Sequence, residues 1–241
     1  MTPTVPPVAQ TVIPDFGGGG TCVRENHTFC WGWFSDHWSD TFQPALTQHI
    51  VLTLIAVGIG LAIALACALI AYRQRWFERP FVAFSGLLYT IPSLALFQLL
   101  VPITGLTTTT AEVALVSYTL LILFRNTLTG LRGVPEEARD AARGMGLTPT
   151  QSLWRVELPL ALPAIVAGLR VATVTVISLA TVAAFVIDKG LGAPIFAALQ
   201  TNFKTEFIAS GVLAVALALV ADGLLVLAQR ALTPWARRRA A

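Results

Sequence analysis

The sequence predicts an all-α integral membrane protein that crosses the bilayer five times. Of its 241 residues, 55% are hydrophobic and only 12% are charged, whereas soluble domains carry about 25% charged residues. Five apolar segments each approach the roughly 20 residues that a helix needs to span a membrane. They are residues 47–72, 81–103, 110–128, 160–187 and 207–232. The net charge of +3 does not indicate a nucleic-acid partner, because the basic residues are scattered between the apolar segments.

The first 46 residues are polar, and we expect them to form an irregular segment outside the membrane. No basic stretch precedes a short apolar core there, so a cleaved signal peptide is not predicted. Trp31, Trp33, Phe34 and Trp38 cluster just before the first apolar segment. Such a cluster suits an interfacial helix or an aromatic belt at the membrane surface.

Two of the three cysteines lie in this external segment. Cys22 and Cys30 are close in sequence, and a disulfide between them is permitted outside the membrane. We expect this bond to hold a small cap. A metal site that also uses His27 and His37 is the alternative. Cys67, in the first span, is expected to be a small packing residue.

Proline and glycine mark breaks in the later segments. Pro92 is expected to kink the second span. Gly190, Gly192 and Pro194 predict a turn between the last two spans. A short helix over Pro194–Gln200, lying at the interface, is expected to follow this turn.

Arginine placement predicts the orientation, because cytoplasmic loops are enriched in Lys and Arg. Three regions on one side carry most of the basic residues: loop 73–80, the loop after the third span, and the tail at 233–241. The opposite side has only Arg24, Lys189 and Lys204. We therefore expect the N-terminus outside and the C-terminus in the cytoplasm.

The loop after the third span, Val134–Pro163, is the longest stretch with substantial charge. Pro135 suits a helix start and Gly146 a helix end. Thr148, Pro149 and Gln151 then predict the start of a second helix, with a capping box. Pro159 is expected to end or bend that helix.

One face of the first helix in this loop carries mostly small side chains. Ala138, Ala141, Ala142 and Met145 follow a helical spacing and share that face. The loop is either an ordinary surface hairpin or a docking element, since a face of small residues allows a partner backbone to come close.

Two charged residues fall inside predicted spans, where charge is unfavourable and indicates a functional or paired group. Arg170 and Asp222 are expected to lie in the cytoplasmic half of the bilayer and to pair with each other. The alternative is that Arg170 reaches the interface while Asp222 faces a wet cavity or caps a helix. Glu112 and Arg125 are expected at the membrane interfaces.

The sequence contains no phosphate loop, no paired-histidine metal motif and no serine–histidine grouping in the spans. We therefore predict a protein without a catalytic or metal site of its own.

The central loop resembles the EAA loop of permease subunits in bacterial binding-protein-dependent ABC importers. That loop carries Glu-Ala-Ala, a glycine four positions later, and then Ile-x-Leu-Pro. The matching residues are Asp140, Ala141, Ala142, Gly146, Val156, Leu158 and Pro159. Asp140 and Val156 depart from the pattern by conservative replacement.

Further stretches are similar to the glycine betaine, carnitine and choline (osmoprotectant) branch. They are Thr90–Ile103, Arg125–Val134, Ala142–Thr148, Val156–Arg170 and the GLGAPIF turn. The resemblance covers about residues 47–230, and the segment 1–46 has no counterpart in it. It implies import of a compatible solute across the bacterial plasma membrane by five core helices.

The resemblance also implies the partners. Two permeases, of one or two kinds, form the pore, and an external binding protein delivers the solute. Cytosolic ATPase subunits bind the ATP and magnesium, so the permease needs no cofactor. The loop at 134–159 supplies a helix that couples to the ATPase. Its implied coupling residues are Ala138, Asp140, Ala141, Ala142, Arg143, Gly144, Met145, Gly146 and Leu147.

The sequence does not fix the solute. Tyr89, Phe97 and Tyr118 are candidates to line a pathway, with lipid contact or packing as the alternative. The same machinery would serve another small solute, such as an amino acid, a thiol-histidine compound or a sulfonate. A non-transport scaffold that docks a cytosolic partner is a further alternative. A secondary transporter would show internal repeats, which we do not find.

Overall fold

The structure is a computed structural model that describes residues 20–234. All of the regular secondary structure in this part of the chain is helical. The N-terminal helices are α1 (Thr21–Arg24), α2 (Trp31–Asp36), α3 (Gln43–Arg73), α4 (Arg75–Thr90), α5 (Ser93–Thr104) and α6 (Thr108–Arg132). The C-terminal helices are α7 (Glu136–Gly144), α8 (Pro149–Ser152), α9 (Leu158–Ile187), α10 (Gly192–Thr201) and α11 (Lys204–Leu232). Two π-helical segments, Trp38–Phe42 and Leu153–Glu157, lead into α3 and α9.

Four helical stretches are long and apolar enough to cross a membrane. They are Trp38–Arg73, Thr108–Arg132, Pro149–Ile187 and Lys204–Leu232. The fifth predicted span, 81–103, is not one helix: α4 and α5 meet at a bend of 101°. This pair counts as one broken span or as a re-entrant loop, so residues 20–234 contain four spanning helices or up to five spans.

Pro92 explains the break between α4 and α5. A residue before proline is pushed out of the helical region, and Ile91 has φ −67° and ψ 129°. Pro92 also has no N–H to donate. The Tyr118 hydroxyl of α6 donates a hydrogen bond to the Ile91 carbonyl, so the break is held by a contact from another helix. The predicted kink is therefore a sharp turn.

The centre of the molecule is formed by α3, α6 and α9, with α6 packed between the other two. Alanines fill much of this core, among them Ala64, Ala114 and Ala180, all at 0% exposure. Small residues let the helix backbones approach closely, as is common in membranes. By contrast, α11 packs on α9 and leaves most of its apolar surface uncovered within this chain.

Gly60 shows how close α3 and α6 lie. A Cβ placed there would be 3.0 Å from the Thr119 Cβ, which does not move by side-chain rotation. A Cβ at Gly58, two residues earlier in α3, meets nothing within 4 Å. We expect Gly60→Ala to destabilise the protein by about 1–3 kcal/mol, which lowers its Tm in detergent by at least about 3 °C. Gly58→Ala is the matched control with no loss, and an equal Tm for the two variants would contradict this packing.

Residues 20–36 form a cap on the start of α11. Cys22 and Cys30 are joined by a disulfide. Asn26 Nδ2 donates to the Asn202 carbonyl at 2.7 Å, and its Oδ1 accepts from the Lys204 N–H at 3.1 Å. Both sulfurs are used in this bond, so the alternative metal site with the nearby histidines is not what the structure builds.

Aromatic side chains complete the cap. Trp33 is buried and packs edge-on against Phe203 and Phe42. Trp31 contacts Phe29 and Phe34 but remains 71% exposed. The segment expected to be irregular is thus partly helical, because side-chain contacts to α11 support short helices that would be marginal alone. Residues 1–19 of the predicted external segment lie outside the described residues.

We expect Cys22→Ser combined with Cys30→Ser to loosen this cap by about 2 kcal/mol, since the bond restricts the unfolded loop. Hydrogen exchange of backbone amides in residues 20–36 should become faster, while exchange in α6 stays unchanged as an internal reference. Unchanged protection of the cap would show that the Asn26 and Trp33 contacts suffice without the disulfide.

Candidate functional site

The loop between α6 and α9 builds a capped helix pair at one end of the long helices. Gly146 follows α7 with φ +76°, and its N–H donates to the Arg143 carbonyl at 2.9 Å. At α8, the Thr148 N–H donates to Gln151 Oε1 at 2.9 Å, and the Gln151 N–H donates to Thr148 Oγ1 at 3.3 Å. This is a capping box. Both helix boundaries are therefore set by local sequence signals.

The second helix of the pair does not end at Pro159. Helix runs without interruption from Pro149 to Ile187, with the π-helical segment directly before α9. Pro159 follows directly after the π-helical segment Leu153–Glu157, where the hydrogen-bond pattern of the helix is locally shifted. The expected two-helix hairpin is thus a short α7 followed by a helix that continues into the membrane.

The residues on the predicted small face of α7 differ in their exposure. Ala142 is fully buried against its own chain, and Ala138 is half-buried. Ala141 and Met145 face outwards, with Met145 71% exposed. Only part of the predicted face is therefore open to a partner, because the inner side of α7 attaches it to the protein.

The remaining expected coupling residues lie around this outer surface. Asp140, Arg143, Gly144 and Gly146 are exposed, and Leu147 is half-buried. Arg143 pairs with Asp140 one turn earlier and lies 3.5 Å from the Glu136 carboxylate. We name Asp140, Ala141, Gly144 and Met145 the outer surface of α7. It offers small and flexible side chains with a paired charge at its edge.

A buried carboxylate lies behind α7. Glu157, in the second π-helical segment, is only 7% exposed. It accepts hydrogen bonds from the Tyr72 hydroxyl and from Ser152 Oγ, the latter at 3.0 Å. Arg139 Nε of α7 is 3.7 Å from Glu157 Oε2. Sequence reasoning missed this residue, although a single acid between Val156 and Leu158, at the entry to an apolar segment, is a signal for it.

Arg170 of α9 and Asp222 of α11 form a two-point ion pair. Arg170 Nε donates to Asp222 Oδ1 at 2.7 Å, and Nη2 donates to Oδ2 at 2.9 Å. The two side chains are 34% and 35% exposed within the single chain. Gln229 Nε2 of α11 also donates to the Pro163 carbonyl of α9 at 3.3 Å. Polar contacts therefore join α9 and α11 at two levels.

The three candidate pathway aromatics have different environments. Phe97 is at 0% exposure in the core between α5, α6 and α9. Tyr118 is buried and bonded to Ile91, as described above. Tyr89 is 41% exposed, with its ring centroid 6.0 Å from that of Tyr118. Within this chain Phe97 and Tyr118 are packed in the core, which is the alternative that the sequence left open.

Glu112, which the sequence places near a membrane interface, has a shielded carboxyl group. Within the described residues, both of its carboxyl oxygens are shielded and have no hydrogen-bond partner. It lies in the second turn of α6, near Thr108, which accepts a hydrogen bond from Lys189 Nζ at 3.0 Å.

Residues 56–238 match the family model described as "Binding-protein-dependent transport system inner membrane component". The chain belongs to this family. The match begins within α3 and leaves out the cap. The function of the chain is therefore that of a membrane permease subunit in an ABC importer, and neither a scaffold nor a secondary transporter is supported.

Two curated relatives cover most of the chain. The choline transport system permease protein OpuBB of Bacillus subtilis is 37% identical over 193 residues, which are 80% of this chain and 88% of that protein. The osmoprotectant import permease protein OsmW of Salmonella typhimurium is 36% identical over 192 residues, covering 78% and 89%.

A third relative covers a smaller part. The ergothioneine transport permease/ergothioneine binding protein EgtU of Helicobacter pylori is 39% identical over 150 residues, which are 62% of this chain and 27% of that protein.

The fold is shared with solved transporters. The MetNI methionine ABC transporter in an inward-facing conformation gives a TM-score of 0.69 at 22% identity, covering 78% of this chain and 94% of that one. At this identity the likeness concerns the fold alone.

Proposed function

We propose that this chain is the translocation subunit of an ATP-driven importer for compatible solutes of the quaternary-amine type, such as glycine betaine or choline. A cytosolic ATPase binds ATP and magnesium and docks on the outer surface of α7. An external binding protein delivers the solute. The N-terminal cap lies outside the cell, and α7 and the C-terminus lie in the cytoplasm.

The observation that carries the proposal is the position of α7. It presents exposed Ala141 and Met145 at the end of the helix bundle, while Ala142 attaches it from behind. The chain after α7 continues as unbroken helix from Pro149 to Ile187. A partner that moves α7 therefore acts, through the turn at 145–148, on a helix that is long enough to cross the membrane.

The solute class rests on the relatives, whose names specify choline and osmoprotectants at 36–37% identity over most of the chain. Quaternary ammonium groups are recognised by aromatic cages. In this chain Phe97 and Tyr118 are buried and do not form one. We assign the recognition step to the binding protein and the passage step to this chain with a second permease.

The uncovered sides of the molecule support the second permease. Arg170 and Asp222 remain about one third exposed within the single chain. Charged side chains inside a membrane face protein or water rather than lipid. A second permease subunit, of the same or a related chain, covers this side in the assembled importer.

A second candidate solute is a thiol-histidine compound, because one relative is a permease and binding protein for ergothioneine. It ranks lower, since the alignment covers only 27% of that protein. Amino acids rank lower still, since likeness to amino acid transporters is at the level of fold.

The experiment is reconstitution of the permease with its ATPase and binding protein in proteoliposomes. ATP hydrolysis is measured with glycine betaine, choline, carnitine, ergothioneine and methionine. We expect stimulation by one or more of the quaternary amines. Stimulation by ergothioneine alone would support the second candidate, and no stimulation by any solute would contradict the assignment.

A further inference from the structure

Four polar side chains meet behind α7 and connect it to the rest of the bundle. Glu157 is the centre, bonded to Tyr72 at the end of α3 and to Ser152 of α8. Arg139 approaches from α7, with Nε 3.7 Å from Glu157 Oε2. We name Tyr72, Arg139, Ser152 and Glu157 the Glu157 cluster. A buried carboxylate needs such partners, because an unpaired one is strongly destabilising.

Arg139 also contacts α6. Its Nη2 donates to the Leu131 carbonyl at 2.9 Å, in the last turn of that helix. Arg139 of α7 thus contacts both the C-terminal end of α6 and the segment that leads into α9. Through Glu157 it is connected to Tyr72 of α3 as well. The three helices that form the core of the bundle are therefore all linked to α7 through this cluster.

Apolar packing contributes little to the attachment of α7. Ala142 is its only buried residue. An open pocket of about 470 Å³ lies beside α7, and its lining includes Arg139 and Arg143 of α7 together with Tyr72 and Arg73 at the end of α3. At this pocket, the connection between α7 and α3 runs through polar side chains, from Arg139 to Glu157 and from Glu157 to Tyr72.

The Arg139–Glu157 contact has room to shorten. Arg139 Nε is buried and has no hydrogen-bond partner in the part of the chain that the structure describes. Its distance to Glu157 Oε2 is 3.7 Å, whereas a charge-assisted N–H···O bond is about 2.7–2.9 Å long. A shift of α7 by about 1 Å would complete this bond.

We propose that Glu157 is the positioning residue that passes the displacement of α7 to the transmembrane helices. When the ATPase closes on α7, the distance between Arg139 and Glu157 shortens. Glu157 then shifts, and it displaces Tyr72 and the start of α9, to which it is bonded. The ion pair is long with the ATPase relaxed and short with it closed. Glu157 has this role only if the proposed function holds.

The test is the ratio of solute transported to ATP hydrolysed in proteoliposomes. Arg139→Ala combined with Glu157→Ala removes both charges together and so leaves no unpaired buried charge. We expect the ratio to fall at least tenfold while the ATPase still co-purifies with the permease. Arg139→Lys keeps the charge but loses the second contact, and an intermediate ratio is expected.

The matched control is Glu78→Ala combined with Arg132→Ala. This pair also joins two helices, α4 and α6, through bonds of 2.6 and 3.1 Å, but it is more exposed and lies outside the cluster. Its removal should leave the ratio unchanged. A purely structural role for Glu157 would lower the amount of folded complex without changing the ratio.

The outcomes separate the two proposals. If the wild-type complex shows no solute-stimulated hydrolysis, the proposed function fails. If it does, and the double variant keeps the wild-type ratio, Glu157 does not transmit the movement. Should the double variant not assemble, Tyr72→Phe, which removes one hydroxyl, decides: a lowered ratio supports the proposal and an unchanged ratio overturns it.

Discussion

Ala141→Glu should reduce ATP-driven uptake by at least tenfold while leaving membrane insertion intact. Ala141 is exposed on the outer surface of α7, so a larger side chain there is accommodated by the isolated protein. Glutamate lowers helix propensity by less than about 0.7 kcal/mol relative to alanine. At a docked surface the same side chain adds bulk and an unpaired charge, which prevents close approach.

Gly146→Arg should have the same effect on uptake for a related reason. Gly146 is exposed with φ +76°, and a Cβ there meets nothing within 4 Å. The left-handed backbone costs a non-glycine residue about 1–2 kcal/mol, a local strain that the folded protein tolerates. Uptake and ATPase co-purification are the measurements for both variants.

Ala231→Glu is the matched control for both. Ala231 is also an exposed alanine, near the end of α11, and lies outside the α7 region. Its uptake should remain near the wild-type level. Normal transport by Ala141→Glu and Gly146→Arg together would refute docking on α7.

Reversal of one charge in the Arg170–Asp222 pair should remove most of the folded protein from the membrane. Arg170→Asp places two acids together, and Asp222→Arg places two guanidinium groups together, between helices α9 and α11. Like charges within a membrane have neither water nor a counter-ion to stabilise them. The double reversal restores an opposite pair, and we expect it to recover at least half of the wild-type yield in detergent.

The same reversal at Glu78 and Arg132 provides the control. That pair lies at the ends of α4 and α6, outside the predicted spans 81–103 and 110–128, and ion pairs that water reaches contribute only about 0–1 kcal/mol. Single reversals there should change the yield little. Failure of the double reversal to rescue the Arg170 and Asp222 single variants would show that the pair's orientation, or another partner, matters more than its charge.

The sequence predicted the long helices well, because a run of apolar residues and its length are local properties. The same holds for the capping box at Thr148 and Gln151, whose bonds lie within one turn. The sharp bend at Pro92 was predicted only as a kink. Its 101° angle depends on contacts such as the Tyr118 hydrogen bond, which come from a different helix.

The exposure of the α7 alanines and the contacts of Glu157 depend on packing between distant parts of the chain, which a local sequence pattern does not predict. Helical spacing put Ala141 and Ala142 on one face, but their exposure depends on which side of α7 meets the bundle. Glu157 sits beside Val156 and Leu158, where a lone charge indicates a helix end as readily as a site. Its role becomes visible only once Tyr72 and Arg139 are brought to it from distant positions in the chain.

The most direct test of the central claim is solute accumulation in proteoliposomes that contain the permease and its ATPase. ATP is enclosed on the α7 side, and the binding protein with labelled glycine betaine or choline is added on the cap side. We predict accumulation above the external concentration that requires ATP and the binding protein and is lost with Ala141→Glu. Accumulation without ATP, or none of either solute in the complete system, would contradict the account.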